Sequence, residues 1–254
     1  MGTLDDEIRS YWEEDAATYD LAPQHRPTSP AVLAAWTASL HGVLPPAPAR
    51  VLDCGAGTGF LSLLAARLGH RVTALELAPA MLERLRAAAG AAGLVVDTVE
   101  GRAEEPPAGE FDVVMERHLL WTLPDPVVAL RRWREAAPGG ALVLVESLWG
   151  GVDAVEQARG RARGALRRVR GGRPEHHAEY APALRRELPL GAGTHPDQLV
   201  RLVEKAGWRG PRLHRLRDVE WAERLGLAWP ERMLGVSPRF LLVAGARLEP
   251  ALGG

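Results

Sequence analysis

Three glycines at alternate positions, Gly55, Gly57 and Gly59, close the stretch LDCGAGTGF behind an apolar run. Glycine marks places where something must approach the backbone, because it presents no Cβ. Asp53 stands two residues before the first of them, and Glu76 seventeen residues past the last. A carboxylate at that distance, ending a second strand, accepts both hydroxyls of a ribose. The dinucleotide fingerprint G-x-G-x-x-G would need glycine at position 60, where the chain has Phe60. Further along, MERHLLWTLPDP carries His118, whose ordinary pKa of about 6.5 suits proton transfer at neutral pH. Trp121 offers a flat apolar wall with one donor. The stretch RPEHHAEYAP gathers His176, His177, Glu179 and Tyr180. It reads equally as a solvated loop or as a source of groups that reach an acceptor. Adjacent histidines splay apart and no other ligand cluster accompanies them, so no metal site is expected. His195, between Thr194 and Pro196 with Asp197 following, reads as part of a helix cap, and His70 as a turn residue at the foot of the sheet.

Positioning these groups requires strands alternating with helices, the pattern of a sheet wound on both faces. Strands are expected at 49–54, 70–76, 94–100, 111–117, 141–147, 211–221 and 239–247. The runs FLSLLAARLG, APAMLERLRAAAGAAG and DPVVALRRWREAAPGG repeat apolar residues at helical spacing and stop at Gly or Pro-Gly-Gly. They are the crossover helices. Before the sheet, two helices are expected at about 4–18 and 29–41, joined by DLAPQHRPTSP and followed by the Pro-rich LPPAPA. A single domain over 1–254 is thus divided into a helical cap (1–48), a core (49–149), an inserted helix and loop (150–193) and the rest of the sheet (194–254). An insertion beside a site is a candidate lid.

The 254 residues, with net charge −1 and a single cysteine, describe an ordinary globular chain with no bulk attraction to nucleic acid or anionic membrane. An intramolecular disulfide is excluded. The start MGTLDDEIRSYW has no secretory pattern, so a cytoplasmic protein is expected, without membrane or nucleic-acid partners, as a monomer or homodimer. Seven arginines between 159 and 173, without an acid, read as a solvated helix face in an arginine-biased chain.

From VLDCGAGTGFLSLLAARLGHRVTALELAPAMLERLR through VEGRAEE, FDVVMERHLLWTLPDPVVALRRW and APGGALVLVE, the sequence resembles the class I S-adenosylmethionine-dependent methyltransferases, notably the bacterial small-molecule branch similar to ubiquinone and menaquinone methylases. The resemblance implies a Rossmann-like, seven-stranded sheet with the last strand antiparallel, and S-adenosylmethionine across the strand ends, leaving as S-adenosylhomocysteine. Asp53, Gly55, Gly57 and Gly59 would flank its methionine part, Glu76 its ribose, Leu77 and the Ala103 backbone its adenine. Tyr19, in YWEEDAATYD, would cover it with Tyr11 as a second candidate. Arg117 joins this set. Arg102 stands where the family often has an Asp that accepts from the adenine amino group, and Arg cannot accept; Glu104, a carbonyl or water must substitute.

The implied reaction methylates an oxygen or nitrogen of a small-molecule acceptor, a specialised metabolite. Trp121, Trp149, His176, His177 and Tyr180 are placed on the acceptor side, and His118 either takes a proton or orients the cofactor. An activated aromatic or indole carbon is an alternative acceptor. The rivals from other classes are a nicotinamide-dependent oxidoreductase and a cofactor-binding protein without turnover.

Overall fold

The computed structural model describes residues 4–148, 154–169 and 180–245. Its centre is a seven-stranded sheet of β1 (Arg50–Cys54), β2 (Arg71–Glu76), β3 (Asp97–Glu100), β4 (Val113–Arg117), β5 (Ala141–Ser147), β6 (Arg212–Arg215) and β7 (Arg239–Gly245). The order is β3-β2-β1-β4-β5-β7-β6. The first five strands run parallel, and β7 lies antiparallel to both β5 and β6. This is the Rossmann-like sheet that the resemblance implies. Strand order reverses at β1, between β2 and β4, and a crevice opens there at the carboxyl ends.

Alternation within the strands divides the core. Val51, Val72, Val113, Met115 and Val143 face α2 (Pro30–His41), α3 (Phe60–Arg67) and α9 (Arg217–Leu225). Leu52, Leu75, Val114, Leu142 and Leu144 face α5 (Pro126–Ala136) and α8 (Pro196–Lys205). α4 (Pro79–Ala91) packs Leu82 and Leu85 on Ala74. Runs that are apolar on both sides are what a parallel sheet covered by helices on both faces requires. At its foot, Ala49 N–H donates to His70 Nδ1 at 3.2 Å, so His70 pins the start of β1.

Several boundaries differ from the sequence expectation. The strand expected at 211–221 ends at Arg215, and α9 occupies the remainder. Val219 and Ala222, three apart, bury one side of that helix while Asp218 and Glu220 stand in its first turn, where acids suit the helix dipole. β3 begins only at Asp97, because this edge strand pairs with β2 alone and Val95 is exposed. The first helix, α1 (Leu4–Asp15), stops short of 18, and a 3-10 turn follows at Tyr19–Leu21. The N-cap of α8 is His195 itself, whose Nδ1 accepts from Asp197 N–H at 3.3 Å, while Thr194 donates to the Ser147 carbonyl. The inserted stretch holds two helices among the described residues, α6 (Ala154–Val169) and α7 (Pro182–Glu187). A last short helix, α10 (Trp229–Leu234), precedes β7.

Candidate active site

The glycines form the turn from β1 into α3, and the three serve different ends. A Cβ on Gly59 would lie 2.5 Å from Leu85 Cγ, so this glycine lets α3 close on α4. One on Gly55 would meet Leu119 at 2.6 Å. On Gly57 a Cβ would find only Tyr19 Cε1, at 4.0 Å, so this glycine presents bare backbone to the crevice. Glu76 holds the turn: its Oε2 accepts from Gly57 N–H at 2.9 Å, and its Oε1 from Leu77 and Ala78 N–H at 2.8 and 3.0 Å. Burial raises the Glu76 pKa against the pull of these three donors. Asp53 lies beneath the turn rather than in the crevice. It accepts from Ser62 Oγ at 2.5 Å, and burial pushes its carboxyl up to about 7.

The segment after α1 folds onto this turn. Asp20 accepts from Thr58 Oγ1 at 2.6 Å and pairs with Arg26 at 2.7 Å. Tyr19 stacks on His25 with ring centroids 3.9 Å apart, and burial lifts its phenol to about 12. Arg117, at the end of β4, donates to the carbonyls of Gln24 and His25 and lies over the Phe60 ring at 4.4 Å. Its guanidinium therefore clamps the segment by main-chain carbonyls. Burial lowers its pKa to about 10.

Beyond Arg117 the chain turns sharply, with His118 at φ 58° and its N–H donating to the Val145 carbonyl at 3.1 Å. The buried Glu116 shapes the turn by accepting from Leu119 N–H at 2.7 Å, and burial pushes its carboxyl up to about 8. His118 Nδ1 lies 3.2 Å from Oε2 of Glu146, a fully buried residue near the end of β5. Burial and the Arg117 charge push the imidazole pKa well down, so the ring is neutral at physiological pH.

Gly57, Glu76, Leu77, Ala103, Arg117 and His118 are among the residues that line the crevice. Gly55, Tyr19 and Arg102 also line it, whereas Asp53, Gly59, Tyr11, Trp121 and Tyr180 do not. The last three form an aromatic layer beside it. Tyr180 packs on Tyr11 and Trp121 at 4.2 and 5.0 Å, and Trp12 adjoins Tyr11 at 5.0 Å. Tyr180, Leu184 and Leu188 bury against Ile8 of α1, joining the end of the insertion to the N-terminal helix. Arg102 pairs with Asp5 of α1 and with Glu104 and Glu105, so it links α1 to the far end of the crevice. The Ala103 carbonyl is occupied by Trp133 Nε1 at 2.7 Å. Trp149, His176 and His177 lie outside the described residues. No metal-holding group of His, Cys, Asp or Glu occurs among the described residues.

Reading motifs from the sequence passes over Glu116 and Glu146. A signal was present: β1, β2, β4 and β5 each carry a carboxyl residue at or near the carboxyl end, Asp53, Glu76, Glu116 and Glu146, and all four are buried. An acid recurring there in otherwise apolar strands is costly to bury. It therefore points to a site.

Residues 52–144 match the family model described as a methyltransferase domain. The chain is similar to the ubiquinone biosynthesis O-methyltransferase of Xanthomonas axonopodis pv. citri (strain 306), at 43% identity over 106 residues, 40% of this chain and 44% of that protein. It thus spans under half the length of that relative. Among solved structures it is similar to Haemonchus contortus phospholethanolamine N-methyltransferase 2, in complex with phosphomonomethylethanolamine and S-adenosylhomocysteine (TM-score 0.60, 13% identity, 97% of this chain and 60% of that one). The mitomycin 7-O-methyltransferase MmcR is similar at TM-score 0.57 and 17% identity, over 96% of this chain and 66% of that one. At these identities the two structures show the fold.

Proposed function

We propose that this chain, a class I methyltransferase by the domain at residues 52–144, transfers a methyl group from S-adenosylmethionine to an oxygen or nitrogen of a small-molecule acceptor. One observation carries the reading. The crevice opens at the bare backbone of Gly57 beside the buried carboxyl of Glu76, which ends β2 and lines it. A carboxyl at the end of the second strand suits the paired hydroxyls of a ribose, and bare backbone at the turn leaves room for the rest of the ligand. Glu76 and the Gly57 backbone thus fit the ribose and methionine parts of S-adenosylmethionine.

Glu76 would hold the ribose hydroxyls, exchanging some of its backbone donors for them, with Leu77 and the Ala103 backbone about the adenine and Gly55 and Gly57 beside the methionine part. Tyr19, held by Asp20 and Arg117, would cover the ligand. The ligand supplies an electrophilic methyl on sulfur, so the protein need only align the acceptor, exclude water and remove a proton. His118 takes that proton, being neutral and on the crevice wall. Trp121 and Tyr180 flank the acceptor's side with aromatic surface that suits a flat metabolite. A carbon acceptor would use the same wall, with His118 acting after the methyl has arrived. His176, His177 and Trp149 keep their place on the acceptor side in this proposal.

Calorimetric titration with S-adenosylmethionine, S-adenosylhomocysteine and NADH, repeated on Glu76→Ala, tests the assignment. Micromolar binding of the two sulfur ligands alone, weakened about tenfold or more in the variant, is expected. Binding of NADH, or of none of the three, overturns it.

A further inference from the structure

Glu146 places a carboxyl where no solvent reaches it, in a strand that is otherwise apolar from Ala141 through Val145. Its Oε2 faces His118 Nδ1 at 3.2 Å, and its Oε1 is buried without a hydrogen-bond partner among the described residues. The backbone supports the pairing. His118 holds a φ of 58°, uncommon for a residue with a Cβ, and its N–H donates to the carbonyl of Val145, the residue before Glu146. With Nδ1 committed to Glu146, the opposite ring nitrogen, Nε2, is left for the crevice that His118 lines.

We propose that Glu146 is a positioning residue that decides whether Nε2 of His118 meets the acceptor as a base or as a donor. As a carboxylate it accepts Nδ1–H, and Nε2 carries a lone pair. As a carboxylic acid it donates to Nδ1, and Nε2 carries the hydrogen. Going from the second state to the first, one proton leaves Nε2 for solvent and the carboxyl proton passes to Nδ1. Only in the first state does Nε2 take the acceptor's O–H or N–H proton, whose bonding pair stays on the acceptor atom. The imidazolium so formed then lies against the Glu146 carboxylate.

The charges facing the pair come from four elements: Arg117 and Glu116 on β4, Arg239 on β7, and His25 on the segment after α1, with Glu146 itself on β5. Burial, then Arg117, Arg239 and His25, keep the ring neutral, while burial and Glu116 hold the Glu146 proton on to higher pH than an ordinary glutamate. The change of state therefore falls above the usual carboxylate range, and basic solution favours the competent tautomer.

The inference rests on His118 as the proton acceptor of the proposed reaction, yet its first readout needs neither cofactor nor turnover. Nitrogen NMR of ligand-free protein labelled with ¹⁵N-histidine, with the His118 signals assigned through His118→Gln, reports which nitrogen carries hydrogen across a pH series. In the wild type the hydrogen is expected to move from Nε2 to Nδ1 as pH rises. Glu146→Gln should hold one tautomer throughout, and Glu146→Asp should restore the change at a shifted pH. In turnover, Glu146→Gln should lose the rising limb of the kcat profile and about a hundredfold in kcat above it, with the KM for S-adenosylmethionine unchanged. A single wild-type tautomer across the series, or the same change in Glu146→Gln, overturns the proposal. Failure of the methyltransferase reading would show instead as absent sulfur-ligand binding, leaving the NMR result to stand by itself.

Discussion

Burial beneath the glycine turn keeps the Asp53 carboxyl protonated at pH values where an exposed aspartate is ionised, with its pKa raised from 3.8 to about 7. The folded chain therefore binds more protons than the unfolded one between those two values, and folding stability falls as pH rises through that window. Above it both states are ionised and the loss is constant; below it both are protonated and there is none. Asp53→Asn removes this dependence. Its stability relative to the wild type should rise by roughly 2 to 3 kcal/mol between about pH 5 and pH 8. Urea melts at the two pH values measure it, and a difference that stays flat would mean that Asp53 is ionised in the folded protein. Glu76 contrasts with Asp53 because three backbone donors oppose its burial. The residue that lines the crevice is thus the better solvated of the two by protein groups.

At the scale of the glycine turn, the division of labour between Gly57 and Gly59 can be separated by substitution. Gly59→Ala forces a Cβ into Leu85 at φ 88°, and should cost about 2 to 4 kcal/mol of stability by strain and overpacking together. Gly57→Ala, at φ 54°, meets only Tyr19, at 4.0 Å, and should cost about 1 kcal/mol while weakening the sulfur ligands. Thermal melts and calorimetry on both variants check the contrast; equal losses of stability would contradict it. The turn itself, Glu76 and the five parallel strands were legible in sequence, since each is announced by local spacing and by runs of apolar residues. The start of α9 was not, because LHRLRDVEW alternates for a few residues as a strand does, and only its packing of Val219 and Ala222 decides for a helix. Nor was the removal of Asp53 from the crevice legible. That depends on Ser62, nine residues on, turning inward to meet it. Glu146 carries no motif at all, and its partner His118 is 28 residues away in sequence.

For the whole molecule, the sheet supplies rigid strand ends while α1 and the residues after it lie across them. Besides the burial of Ile8 against Tyr180, Leu184 and Leu188, two kinds of polar fastening hold that N-terminal stretch. Near the glycine turn they are the Asp20–Thr58 hydrogen bond and the Arg117 clamp, both at least half-buried. At the other end they are ion pairs, Arg9 with Glu100 at 2.8 Å and Asp5 with Arg102, whose side chains keep between about a third and a half of their surface in solvent. Exposed pairs of this kind are screened within about 8 Å at physiological ionic strength. The two ends should therefore respond unequally to added salt. The outer end loosens first, and a ligand held under α1 should leave faster as sodium chloride rises, by a few-fold between about 0.05 and 0.5 M, while Arg9→Gln with Asp5→Asn should leave quickly at every concentration. Stopped-flow release of S-adenosylhomocysteine reads this directly, and a rate indifferent to salt would assign the opening to the clamped end instead. Ionic strength would then be one condition that sets how long S-adenosylhomocysteine stays bound.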